Sequence, residues 1–146
     1  MLITIDTNVL YQALRSSSGA SFQIMQLVRA GNCRIALSQS VFTEYQDVLT
    51  RQSSLNAFEL TRNDVEMFLR YIAYIGQKFD PHFLFRPNLK DENNNMFVEL
   101  AIASQSRYLV TSNIKDFVSG ELLLNNFQLF TPAQFLKNWR NHHEES

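Results

Sequence analysis

The hydrophobic positions of this chain alternate between two rhythms. Short apolar-leaning runs of strand length occur at 2–5, 33–37, 107–111 and 127–130. Between them the apolar residues recur three and four apart, the spacing of a helix face. Val9, Leu10 and Leu14 predict a helix over 8–14, and Phe22, Met25 and Val28 one over 21–29 that stops at Gly31-Asn32. Val41, Tyr45, Val48 and Leu49 form the stripe of a third, with Ser38 or Ser40 as its cap. Thr61-Arg62-Asn63-Asp64 opens a fourth, carried by Val65, Phe68, Leu69, Ile72 and Ile75 and ended by Gly76. Pro81 and Pro87 make 79–88 extended and irregular. A helix over 91–104 has a polar first turn and a core face of Phe97, Leu100 and Ala101. Thr131-Pro132 starts a last helix, with Thr at the N-cap and Pro at N1.

Strands that alternate with helices predict an α/β fold, a central parallel sheet of four to five strands flanked by helices. With no repeat, linker or low-complexity stretch, residues 1–140 read as a single domain and 141–146 as a polar, frayed C-terminal tail.

Composition narrows the class. At 146 residues, 45% apolar and 18% charged, the chain can bury roughly 70% of its unfolded surface and is globular. No apolar run reaches the roughly 18 residues of a membrane span, and no basic stretch precedes the first apolar run, so no signal peptide is expected. The single Cys33 lies in an apolar stretch and reads as a buried small hydrophobe, consistent with a reducing cytoplasm. A net charge of −1 is not the basic footprint of a non-specific nucleic-acid binder. It leaves room for an enzyme that meets phosphate through a metal ion.

The polar residues that interrupt this pattern are the candidates for chemistry. Asp6 ends the first strand, the edge where open α/β sheets bind ligands. Thr111, Ser112 and Asn113 end a later strand, with Asp116 just beyond. Glu44 and the cluster at Asp91 lie on helices that can face the same edge. Two readings stand. Hard oxygen donors gathered at a strand edge suit Mg²⁺ or Mn²⁺. Alternatively Asp6 is a simple N-cap and the other acids are solvated. Asn8 either braces the Asp6 loop or touches a ligand, and Thr111 and Ser112 either join the site or satisfy strand-end N–H groups. Lys90, Lys115 and Arg86 read as solvated surface, and Phe79, Phe83 and Phe85 as core or a dimer contact.

Four segments also carry a resemblance. Ile5-Asp6-Thr7-Asn8-Val9-Leu10, Val41-Phe42-Thr43-Glu44-Tyr45, the run from Leu89 to Ala101, and Leu109 to Phe117 resemble, in order, the four motifs of PIN-domain proteins. The nearest resemblance is to the VapC-like toxin components of bacterial toxin–antitoxin systems. It implies a PIN-like fold, a cytoplasmic metal-dependent endoribonuclease, and cleavage of RNA by a water activated on Mg²⁺ or Mn²⁺. It further implies a cognate antitoxin, a homodimer and no membrane. Carried over by position, Asp6, Glu44 and Asp116 are metal ligands, with Asn113 beside the last. The third motif departs from the pattern: its metal-facing Asp falls on Asn94. Asp91, three residues earlier on the same helix face, is the carboxylate that could replace it.

Two other classes compete. A degenerate PIN domain would bind RNA or a partner protein without cutting, as the neutral Asn94 allows. An aspartyl-phosphate phosphatase would use Asp6 as nucleophile. Dehalogenase-like phosphatases place a second acid two residues on, where this chain has Asn8.

Overall fold

Ile3, Thr4 and Ile5 are each fully buried, so β1 (Leu2–Ile5) is covered on both faces. The structure, a computed structural model, describes residues 1–81, 92–117 and 127–144, without the side chains of 92–94, 143 and 144. After β1 come α1 (Thr7–Arg15), α2 (Ala20–Arg29) and β2 (Arg34–Leu37). Next are α3 (Gln39–Leu49), α4 (Gln52–Phe58), α5 (Arg62–Ile75) and β3 (Gln77–Lys78). The chain closes with α6 (Glu92–Ser104), β4 (Tyr108–Val110), a 3-10 turn (Ile114–Phe117), β5 (Gln128–Phe130) and α7 (Pro132–Glu144).

The five strands form one parallel sheet in the order β3-β2-β1-β4-β5. β1 is central, with Ile3 opposite Ile35 on one side and Ile5 opposite Val110 on the other. The chain winds outward from β1 through β2 and β3, then returns to the far side of β1 as β4. The order therefore reverses between β1 and β4. At such a point the two connections leave in opposite directions and open a crevice at the carboxyl ends. Asp6 and Thr111 are the residues that follow those two strands.

Local chemistry explains most element ends. Ser38 caps α3 by accepting from the Val41 N–H at 3.2 Å. Thr61 and Asp64 form a reciprocal capping box on α5. Gly31, at φ +84°, turns the chain out of α2 where a Cβ would be strained. Two polar hydroxyls on the covered sheet satisfy each other: Thr4 Oγ1 and Ser106 Oγ lie 2.8 Å apart.

Three features differ from the sequence expectation. β3 pairs with the edge of β2, Leu37 opposite Lys78, although Gln77-Lys78 has no strand pattern. Gly76 permits it, because a Cβ there would stand 2.9 Å from the Ile72 carbonyl oxygen and 3.1 Å from Leu37. α4 is a further helix, between those marked by the apolar stripes at 41–49 and 65–75. α7 runs on to Glu144, so the expected frayed tail is helical through 141–144, where no Gly or Pro stops it. The rest of 79–88 beyond Pro81 lies outside the described residues. Cys33 is a buried free thiol, its pKa pushed up by burial. Among the described residues no helix is long and apolar enough to cross a membrane.

Candidate functional site

Asp6 occupies the N-cap position of α1, yet its side chain makes no capping bond. Its backbone N–H instead donates to the Val110 carbonyl at 2.9 Å, extending the β1–β4 pairing by one residue. This turns the carboxylate toward β4, where its Oδ2 accepts from Thr111 Oγ1 at 2.7 Å. Asp6 is thus the N-cap residue by position, with its carboxylate held by Thr111 on β4's side.

Asp6 is only 7% exposed. Burial raises its pKa from 3.8 to about 6, against the lowering effect of the hydrogen bonds from Thr111 and the Thr7 backbone. Asp116 and then Glu44 raise it further through their charge. Both carboxylates thus act on Asp6 at the switch point, Glu44 half-buried on α3 and Asp116 exposed on the 3-10 turn.

A small frame of polar groups supports this arrangement. Fully buried Thr111 donates to Asp6 and accepts from the Asn113 N–H at 3.1 Å. Asn8 Oδ1 accepts from the Ser112 N–H at 3.1 Å, so Asn8 braces the exit of β4 from α1. Ser112 and Asn113 contribute backbone to the frame, and their side chains are exposed. Lys115 is exposed beside Asp116. Asp91, Lys90, Arg86, Phe83 and Phe85 lie outside the described residues, as does the side chain of Asn94, whose backbone is in the first turn of α6. Phe79 is half-buried against the core.

Two residues escaped the sequence reading. Tyr45 belongs to the apolar stripe of α3, yet its hydroxyl donates to the Ile5 carbonyl, directly before Asp6. Its pKa is driven up by burial and by the Asp6 charge. A buried tyrosine needs a partner for its hydroxyl, and that was the available signal. Asn95 is 5% exposed, and its Oδ1 has no hydrogen-bond partner among the described residues. It lies three residues before buried Val98 on α6, a spacing that could have marked it as inward-facing.

The donor set fits a hard divalent cation in kind. Its groups are oxygens, their charge is negative, and a positive ion would offset the burial that raises Asp6 and the smaller repulsion from Asp116 and Glu44. Among the described residues no three acidic, His or Cys side chains are grouped closely enough to hold an ion. The edge is thus a set of mutually repelling acids and not a preformed cage.

Comparison with known proteins agrees with this fold. Crystallised VapBC2 from Rickettsia felis, bound to a DNA fragment from their promoter, includes a chain with the same fold. The two chains are 21% identical with a TM-score of 0.61, over 90% of this chain and 98% of that one. No curated protein matches the sequence. Residues 3–115, from β1 into the turn that carries Asp116, match the PIN domain family, and the chain belongs to that family.

Proposed function

We propose that this protein is a metal-dependent endoribonuclease of the PIN-domain toxin type. The observation that supports it most is the raised carboxyl of Asp6, buried at the switch point and acted on by Asp116 and Glu44. Families of this kind generally use divalent metals. Asp6, Glu44 and Asp116 would hold Mg²⁺ or Mn²⁺, with Asp91 or Asn94 completing the shell. When bound, the ion would supply Lewis acidity for hydrolysis of a phosphodiester.

The chain's own residues prepare that event. Thr111 donates to Oδ2 of Asp6 and orients its carboxylate, which keeps lone pairs that a cation could use. Asn8 and the Ser112 N–H lock α1 to the end of β4, so Asp6 and the turn bearing Asp116 cannot drift apart. Tyr45 ties α3, and with it Glu44, to the last residue of β1. Above about pH 6, Asp6 is a carboxylate and able to ligate.

The structural likeness to a chain of VapBC2 supports a cognate antitoxin as protein partner. RNA as substrate and a second copy of the chain as partner follow from the same reading, as does a cytoplasmic location. Incubation with single-stranded RNA and Mn²⁺ tests the activity: wild type is expected to cleave and Asp6→Asn to lose at least a hundredfold in rate. Equal cleavage by both would remove the mechanism.

The neutral residues of the third motif favour a second reading, a PIN domain that binds RNA or a partner without cutting. It expects no wild-type cleavage above background and a gain of cleavage in Asn94→Asp.

A further inference from the structure

Next to the acidic edge is a groove of about 640 Å³, where the end of α1 meets the starts of α2 and α7. A second cavity of about 530 Å³, lined by Asn113, Lys115 and Asp116, shares Ser112 and Thr131 with it. The groove is therefore the neighbour of the site on its Asp116 side. Its volume is that of a small-ligand pocket.

Its walls have the chemistry of an anion site. Arg15 is the one charged residue among the described residues lining it. The N-terminus of α2 opens onto it through Gly19, Ala20 and Ser21. Gly19 is the N-cap and has no side chain with which to cap, so the first N–H groups of this ten-residue helix lack a capping partner. Such groups, at the positive end of the helix dipole, favour a bound anion. Independently, Ser21 is 95% buried and lines the groove, and among the described residues its hydroxyl has no hydrogen-bond partner. Its Oγ is open to the groove and not sealed inside the protein, so it can donate to an anion bound there. The contrast with α7 is informative. Its start also lines the groove, but Thr131 and Gln134 cap each other's N–H groups at 3.0 and 3.2 Å. Arg140 donates to Gln23 at 2.6 Å and so links α7 to α2 beside the groove.

We propose that this groove binds a backbone phosphate of the RNA strand, flanking the phosphodiester that the acids engage. Arg15 supplies the charge, and the Ser21 hydroxyl and the α2 N–H groups supply the donors. The assignment to RNA rests on the nuclease reading, whereas the anion site itself does not. A strand crossing Ser112 would present one phosphate to each side. The groove would thus supply locally the positive charge that a chain of net charge −1 lacks overall.

Amide NMR of the full chain with a chelator present tests this without cleavage. Titration with inorganic phosphate, and separately with a single-stranded RNA octamer, is expected to shift the amides of Ala20, Ser21 and Phe22 saturably. Arg15→Gln is expected to weaken octamer binding about tenfold and to lower its salt slope by about 0.7, the value for one lost phosphate contact on a single strand. Ser21→Ala should weaken it about threefold, and the spectra of both variants report their folding. Absence of shifts at 20–22 with both probes overturns the site. Phosphate shifts with octamer affinity unmoved by Arg15→Gln overturn its assignment to RNA. Octamer binding that depends on Arg15 in a protein that never cleaves RNA leaves the groove standing and removes only the nuclease reading.

Discussion

Asp6 is held in a conflict between burial and function. Desolvation outweighs the donors Thr111 and Thr7, and the nearby acids add to it, so the folded pKa of about 6 lies above the ordinary 3.8. For an acid with a raised pKa the folded state binds the extra proton. Its stabilising contribution is complete below 3.8 and is lost as pH rises through about 6. Each pKa unit corresponds to about 1.4 kcal/mol. Asp6→Asn removes the charge, and in chelator it is expected to be more stable than wild type at pH 7.5 by on the order of 2 kcal/mol, against this shift. At pH 4 the two should differ by far less. Urea denaturation at both pH values measures this, and a variant less stable than wild type at pH 7.5 would contradict it. The destabilising carboxylate is what a site retained for ligand binding looks like, since a core would replace it.

The elements show why sequence pattern carries some features and not others. β1, β2 and β4 were legible because strands buried on both faces must be apolar over consecutive residues, and β5, a half-exposed edge strand, because Phe127, Leu129 and Phe130 stand in a short run before Thr131-Pro132. α5 was legible from Thr61 to Gly76, since both its ends have chemical markers. α4 had none: it starts at Arg51 without a side-chain cap and ends at Glu59, whose φ of 57° is usually left to glycine or asparagine. β3 was hidden because a two-residue polar edge strand has no alternation to detect. At the site, Asp6, Glu44, Thr111 and Asp116 stood out as polar residues at strand ends or in a motif. Tyr45 and Asn95 did not, since an apolar stripe and a polar helix start each offer an adequate local explanation. Gly76 is the most specific test of this scale. Gly76→Ala must push the added methyl against the Ile72 carbonyl and Leu37. It is expected to cost about 1–3 kcal/mol in thermal or urea unfolding, as overpacking does, and to weaken amide protection at Phe79, whose N–H donates to Leu37 O at 2.8 Å. Unchanged stability would show that α5 can back away from β2 freely.

At the scale of the whole molecule, the order β3-β2-β1-β4-β5 does two things at once. It buries the most apolar strands at the centre, and it makes the chain reverse direction beside β1, which opens the crevice that Asp6 faces. Stability and ligand binding therefore meet at one residue, and they should be coupled thermodynamically. An ion that binds only the folded state stabilises it by RT ln(1 + [L]/Kd), about 2.7 kcal/mol at a hundredfold excess over Kd. Asp6 must be ionised to ligate, and it ionises near pH 6. Mn²⁺ is thus expected to raise the melting temperature of wild type at pH 7.5 in proportion to the logarithm of its concentration. The rise should shrink as pH falls through about 6, because protons and metal then compete for the same oxygen. Asp6→Asn should show no rise at either pH, while Arg15→Gln, on the groove beyond Ser112, should respond as wild type does. A Mn²⁺ response that survives Asp6→Asn, or that is equal at pH 5 and 7.5, would place the ion elsewhere on the molecule. A response confined to ionised Asp6 would show that the strain on its carboxyl in the metal-free fold is the complement of the cation it holds.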